Sequence, residues 1–497
     1  MSRPSRDTVT GALLAVAAFA LYLATLAPDL YWHDSAEYAA KAPLLQVLHP
    51  PSHPLYLYVA HVFTWLPMQP PRALNLLSAV SASVAIGLAY GLARALGVRR
   101  VMAVAAAAML GASRSFWSNA VIAEVYGLGM TFLLATMWLS LRAARERAGG
   151  LATLASLVGG IGVGAHLSVA TAGLGLAYWV VRSAPPGARA TRIARCALHA
   201  GLGIAAVFLL IPLSAPTRLL DPELWSWSLQ MAGGANFWGW FDASEPGEAV
   251  GRFVGIALRE LSLPGLVAAC VGVVALVRRD RVAATGLLLA AFGNVAFFLF
   301  FRVFDLQVFF LPTVAIGCLF AGVGLDAFVQ AVVARAPRAR GLANVAALLL
   351  PVGLLLWNAP VADRSRAHAP RDYLLQLERE LPRDAVLVTF HDPPEWERWS
   401  VWLYAQQIEH RRPDVVVRAM PPLAYVRCLL QAGVDVLAFA RQPRLRVGGL
   451  RLEPEGAMFR VRAASGRAAA AGRVERGRCE ALLQRSHAPV APRQRSG

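Results

Sequence analysis

The chain has 497 residues, 57% of them hydrophobic, with mean hydropathy +0.50. These values exclude an ordinary soluble protein and indicate a polytopic membrane protein. The formal net charge of +18 rests almost wholly on arginines placed between apolar runs, and Lys41 is the single lysine. That spacing is the positive-inside pattern, so the charge gives no reason to expect a nucleic-acid partner.

In chain order the apolar runs fall at about 11–27, 73–93, 101–113, 119–141, 151–181, 197–213, 254–277, 282–301, 304–334 and 342–357. A span takes about 20 apolar residues. Arginine clusters separate the runs at Arg94/Arg99/Arg100, Arg142/Arg145/Arg147, Arg182/Arg189/Arg192/Arg195, Arg278/Arg279/Arg281 and Arg335/Arg338/Arg340. With these clusters cytoplasmic, loops 28–72, 114–120, 214–253 and 302–305 face outward. Run 151–181 has arginines at both ends and a glycine-rich break, Gly159 to Gly164. It is expected to form two short helices that meet at His166 near the outer side. Counting it twice gives about eleven transmembrane helices, with the N-terminus inside and the C-terminus outside. The last run is the weakest, being short and containing Pro351. The short basic N-terminus (Arg3, Arg6) leads straight into the first run, which reads as an uncleaved span.

After Asn358 the composition changes to that of a small α/β domain, 358–463. Helices are expected at 373–381 and 395–408, and strands at 385–390, 414–418, 434–439 and 458–461. The Arg/Ala-rich tail, 464–497, is expected to be disordered. The five cysteines form no CxxC, so neither a zinc site nor a redox pair is expected. No nucleotide-binding glycine motif is present.

The stretch Tyr31 to Tyr58, YWHDSAEYAAKAPLLQVLHPPSHPLYLY, stands apart. Asp34, Glu37 and Lys41 share one face of a helix at their spacing. The prolines after His49 cannot lie inside a helix. Pro54 suits the first turn of a new one, with Ser52 or His53 as its cap. Two short helices joined by a proline bend are therefore expected at the membrane surface. Acidic groups at a bilayer edge mark a candidate working site.

These residues resemble the first-loop signature of the protein O-mannosyltransferase-like membrane protein family. That family is similar to the GT-C glycosyltransferases, and its usual pattern is roughly W-G-D-S-G-E and H-P-P-G-Y-P-L-Y. The chain departs from it at His33, Ala36, Ser52 and His53. A second segment, Phe116-Trp117 through Glu124-Val125-Tyr126, resembles the family's F-W-x-x-A-V-x-A-E-V-Y motif. The resemblance covers about residues 11–320. It also touches the C-terminal part, at 381–387 and 412–415. It implies a GT-C-like membrane domain over 1–357 and an extracytoplasmic α/β domain after it. The implied activity is transfer of a sugar, mannose being one candidate, from a polyprenyl-phosphate carrier. The acceptor would be a hydroxyl of a protein or glycan at the outer face of a bacterial inner membrane.

Each candidate residue has a structural alternative. Glycosylating a hydroxyl requires removal of its proton, and Asp34 is the candidate base. Asp34 with Glu37 also resembles a capping box. Spacing alone leaves the two readings level, and the resemblance favours catalysis. Glu37 would orient Asp34, share a metal or pair with Lys41. A divalent metal is therefore left open as a cofactor. Trp117, Val121, Glu124 and Leu128 fall on one face if 117–128 is a single helix. Glu124 and Tyr126 would then line a sugar cavity, with Arg114 as the partner that a buried carboxylate needs. His166, in a segment resembling the family's G-x-H-[LT], would bind a lipid phosphate. His49 and His53 are weaker candidates. Arg302 is either a phosphate fork or half of an interfacial pair with Asp305. Trp225, Trp227, Trp238 and Trp240 suit an aromatic belt, and one or two of them a sugar stack. The rival functions are a transporter or lipid flippase, and a scaffold that presents the C-terminal domain. No inverted repeat supports the first.

Overall fold

The computed structural model describes residues 5–49, 53–213, 237–389, 395–441, 445–446, 449–463 and 479–480. The chain divides into two compact units, Met1–Pro28 with Lys41–Arg366, and Asp29–Ala40 with Ala367–Gly497.

The first unit is a helix bundle. Its helices are α1 (Arg6–Ala24), α3 (Pro54–Phe63), α4 (Pro70–Ala95), α5 (Arg100–Ala112), α6 (Arg114–Ala120), α7 (Tyr126–Glu146), α8 (Gly149–Val163), α9 (Ser168–Thr171), α10 (Gly173–Arg182), α11 (Arg189–Leu213), α12 (Pro246–Arg279), α13 (Arg281–Phe298), α14 (Leu311–Arg335) and α15 (Arg340–Ala362); α2 (Ser35–Lys41) begins in the acidic stretch. Among the described residues, eight helices are long and apolar enough to cross a bilayer. The helices at 54–63, 100–112 and 149–163 are shorter, so the expected eleven is not reached by length alone. Apolar side chains cover the outside, as a lipid-facing surface requires: Leu13, Val16, Leu342 and Trp357 are all exposed.

Two edges of the bundle are defined by side-chain bonds. At one, Asp7 of α1 accepts from Arg94 and Arg100, Asp326 of α14 accepts from Arg99, and Asp280 accepts from Arg145. These bonds tie the arginine cluster 94–100 to the first helix and to α14, and Arg145 of the next cluster to Asp280. At another, Ala27 N–H donates to Val121, Asn75 to the Ala27 carbonyl, and Arg364 N–H to Thr25. The last helix is longer than its apolar run: α15 continues through Pro351 and Pro360 for 23 residues. Helix α12 has 34 residues, too long for one straight span at about 1.5 Å per residue. It is broken at Ser262 (φ 62°, ψ 165°), two residues before Pro264.

Two expectations fail in the segment 114–128. Residues 114–120 are helix α6 and not a loop, and no single helix runs from Trp117 to Leu128. The chain is irregular from Val121 to Val125 because neighbours take its backbone bonds. The Val121 carbonyl accepts from Ala27, and the Glu124 backbone is clasped on both sides by Ser78. By contrast, run 151–181 does divide at His166, into α8 and the pair α9–α10.

The second unit holds a five-stranded sheet of order β2-β1-β3-β5-β4, with β1 (Val386–Thr389), β2 (Val416–Ala419), β3 (Val436–Ala438), β4 (Leu450–Glu455) and β5 (Met458–Ala463). β1 lies parallel to β2 and β3, and β5 is antiparallel to β3 and β4. Interior strand β1 is buried at all four positions, which is why it reads as a continuous apolar run. Helices α16 (Ala369–Glu380), α17 (Glu395–Gln407) and α18 (Leu423–Gln431) complete the unit. Sequence reasoning missed α18 and β4. It also missed the disulfide Cys428–Cys479, whose partners are 51 residues apart and leave no CxxC signature. Most of the tail 464–497 lies outside the described residues. Cys479 and Glu480, however, are fixed by the disulfide and by bonds from Arg418 and Tyr425 to Glu480.

Candidate active site

Asp34 and Glu37 belong to the second unit. Asp34 precedes the first residue of α2, and its carbonyl accepts the Tyr38 N–H, so it occupies the position of a helix N-cap. Its side chain also has a remote partner: Trp396 Nε1 donates to Asp34 Oδ1 at 3.1 Å. Glu37, one turn on, is fully buried. Of the two glycines that the family pattern loses here, only one matters to the backbone. Ala36 is ordinary buried helix. His33 takes a left-handed conformation, φ 61°, that glycine adopts freely and that is strained by roughly 1–3 kcal/mol in other residues.

The three histidines converge in the first unit. His53 and His166 stack with ring centroids 5.4 Å apart and planes within 7°. His49 meets the edge of His53 at 6.0 Å, and Tyr126 that of His166 at 5.0 Å. The Tyr126 hydroxyl reaches Asp305 Oδ2 at 3.4 Å, and Phe309 covers another side of His166. The break at Gly164–Leu167 brings this about. The Gly164 carbonyl accepts Leu55 N–H, and the Ala165 carbonyl faces His53 Nδ1 at 3.1 Å. His53, the residue before Pro54, itself has φ 40°.

Hydrogen bonding assigns the two rings opposite tautomers. A carbonyl only accepts, so His53 carries its proton on Nδ1 and leaves Nε2 bare. His166 Nδ1 accepts the Ser168 N–H at 3.2 Å, so its proton sits on Nε2. Both rings are buried, which favours their neutral forms. The stacked pair thus offers one neutral acceptor and one neutral donor. Beside it, an apolar cavity of about 390 Å³ runs between α7, α8, α10 and α11, from Val163 and Val169 next to His166 toward Val180 and Cys196.

The remaining candidates are placed as follows. Glu124 is buried, its backbone held by Ser78, and it interacts electrostatically with buried Tyr56. Arg114 is exposed and interacts instead with Glu260, a carboxylate that sequence reasoning overlooked. Glu260 accepts the Ser115 N–H at 3.0 Å and the Ser115 hydroxyl, so it caps α6 from a distance where Ser113 does not. Trp117, on α6, donates to the Thr25 hydroxyl at 3.0 Å. Arg302 does not pair with Asp305. It lies 3.1 Å from Asp242 and 3.8 Å from Glu248, while its N–H donates to the Trp240 carbonyl. Trp225 and Trp227 lie outside the described residues, as does the side chain of Trp238.

Residues 34–185, which carry the acidic stretch, the Phe116–Tyr126 segment and His166, match the family model "Protein O-mannosyl-transferase TMEM260 N-terminal domain". Over those residues the chain is similar to the protein O-mannosyltransferase domain. The fold over most of the chain is GT-C-like, shared with several solved membrane proteins. ArnT from Cupriavidus metallidurans bound to undecaprenyl phosphate is similar over 93% of this chain and 99% of its own, with TM-score 0.57 and 14% identity. An oligosaccharyltransferase from Archaeoglobus fulgidus, in complex with Zn and sulfate, is similar over 87% of this chain and 67% of its own, with TM-score 0.56 and 12% identity. AglB from the same organism, with an inhibitory peptide and a dolichol-phosphate, covers 86% of this chain and 69% of its own, with TM-score 0.50 and 11% identity. No curated protein matches the chain in a sequence search. The matched region, 34–185, thus contains Asp34, Glu37, His49, the stacked pair His53 and His166, Glu124 and Tyr126.

Proposed function

We propose that the protein transfers a sugar from a polyprenyl-phosphate carrier to a hydroxyl of a protein or glycan acceptor at the outer face of a bacterial inner membrane. Asp34 takes the acceptor proton. The observation that carries this reading is the likeness, over 93% of the chain, to an ArnT structure that holds undecaprenyl phosphate. Two features of this chain support it. The apolar cavity beside His166 suits a stretch of isoprenoid tail. The His166 Nε2–H is a donor suited to a phosphate oxygen, and Arg302 is a second candidate contact for it. As the glycosidic bond breaks, the phosphate gains charge, and a preorganised donor stabilises that charge most in the transition state.

The deciding assay compares a polyprenyl-phosphate sugar with the matching nucleotide sugar, using purified protein in liposomes. Turnover is expected only with the lipid-linked donor. Turnover with the nucleotide sugar in lipid-depleted protein would overturn the donor assignment.

The same reading puts the C-terminal unit outside the cytoplasm, and the Cys428–Cys479 disulfide, which would persist there, supports it. An alkaline phosphatase fusion after Arg371 should therefore be active. A strong signal from a cytoplasmic reporter at that position would remove one crossing from the topology.

A further inference from the structure

The acidic stretch Asp29–Ala40 and the C-terminal domain form one compact unit. The bonds that join them are closely spaced. Arg371 donates to Asp29 through two nitrogens, at 2.6 and 3.0 Å, and to Glu409 through the third, at 2.7 Å. Trp32 packs on Tyr373 with centroids 5.7 Å apart, and Arg398 lies over the Tyr373 ring. His33 Nδ1 is 2.7 Å from Glu397 Oε1, and Trp396 Nε1 is 3.1 Å from Asp34 Oδ1. Two consecutive residues in the first turn of α17 thus meet two consecutive residues of the stretch, Trp396 through a hydrogen bond and Glu397 through close approach to His33.

We propose that the C-terminal domain aims the Asp34 carboxylate, with Trp396 and Glu397 as positioning residues. The inference rests on the reading of Asp34 as the base. Its physical content lies in two restraints. Trp396 fixes one oxygen of the Asp34 carboxylate, and with it the orientation of the group. Glu397 holds His33 in the left-handed conformation that sets the direction in which Asp34 leaves the chain. Without that contact, a histidine relaxes to negative φ and turns the next side chain away. A domain anchored this way has a role in the reaction without touching the donor.

The test uses the full-length protein and the variants Trp396→Phe, Glu397→Ala, and Glu397→Ala with His33→Gly. Folding is checked by size-exclusion chromatography and thermal melting. Hydrogen exchange of residues 29–40 needs no substrate and should rise in Trp396→Phe and Glu397→Ala. With undecaprenyl-phosphate mannose as the donor probe, Trp396→Phe should lower kcat about ten-fold or more, with KM little changed. The indole N–H favours the ionised carboxylate, so its loss should move the acid limb of the pH–rate profile to higher pH. In the double variant, His33→Gly should recover part of the Glu397→Ala loss, because glycine takes positive φ without a tether. Unchanged exchange in 29–40, or normal kcat with an unmoved acid limb in a folded Trp396→Phe, overturns the positioning role. Full activity of Asp34→Asn in the same assay overturns the base reading instead, whatever the exchange shows.

Discussion

Asp34→Asn is expected to lower transfer by about 10²–10⁴-fold, the usual effect of losing a general base. The substitution is conservative in every other respect. Asparagine is as good an N-cap as aspartate, so the start of α2 is preserved. Its amide oxygen still accepts the Trp396 indole N–H where Oδ1 does now. The negative charge and its basicity are lost. Binding of a polyprenyl-phosphate donor should therefore stay within a few-fold of the parent protein, and melting should be little changed. Glu37→Gln should be milder if Glu37 only orients its neighbour. The measurement is single-turnover transfer with donor binding determined separately. A well-folded Asp34→Asn protein with near-parental turnover would reduce Asp34 to a helix cap.

The second large effect concerns stability. Between membrane helices there is no hydrophobic driving force, so association depends on close packing at small residues. Helices α12 and α14 meet in this way: a Cβ on Gly272 would overlap the Phe320 carbonyl oxygen, and one on Gly324 the Ala268 carbonyl oxygen. Backbone atoms cannot move aside as a flexible side chain can. Gly272→Leu is therefore expected to destabilise the bundle by on the order of 3 kcal/mol or more, at or above the top of the usual range for overpacking. The readout is folded yield and melting of a fluorescent fusion in detergent. Gly251→Leu is the control, since it lies on the same helix and nothing approaches its Cβ position within 4 Å. Equal yields from the two variants would show that the close approach of α12 and α14 is not needed for folding.

The sequence determined the class of the molecule, its arginine alternation, its acidic stretch and most elements of the small sheet. Each of these is a property of local composition. A buried parallel strand such as Val386–Thr389 reads as a short apolar run, and a proline-glycine pattern marks where helices end. Tertiary structure alone decided the rest. Glu124 looked like part of a helix because its neighbours are apolar, but Ser78, 46 residues earlier, bonds to its N–H and carbonyl and breaks the helix there. Glu260 gave no signal because its role, capping α6, is exercised 145 residues away in sequence. His49, His53 and His166 are unremarkable singly and become one cluster of rings only when the Gly164–Leu167 break meets the start of α3. The anchors of the acidic stretch lie furthest from sequence reach. Arg371 meets Asp29 across 342 residues, and Trp396 meets Asp34 across 362. A hydrogen bond needs only one donor and one acceptor, so a pairing across such a distance imposes no periodicity on either segment. Only the folded chain brings the two together.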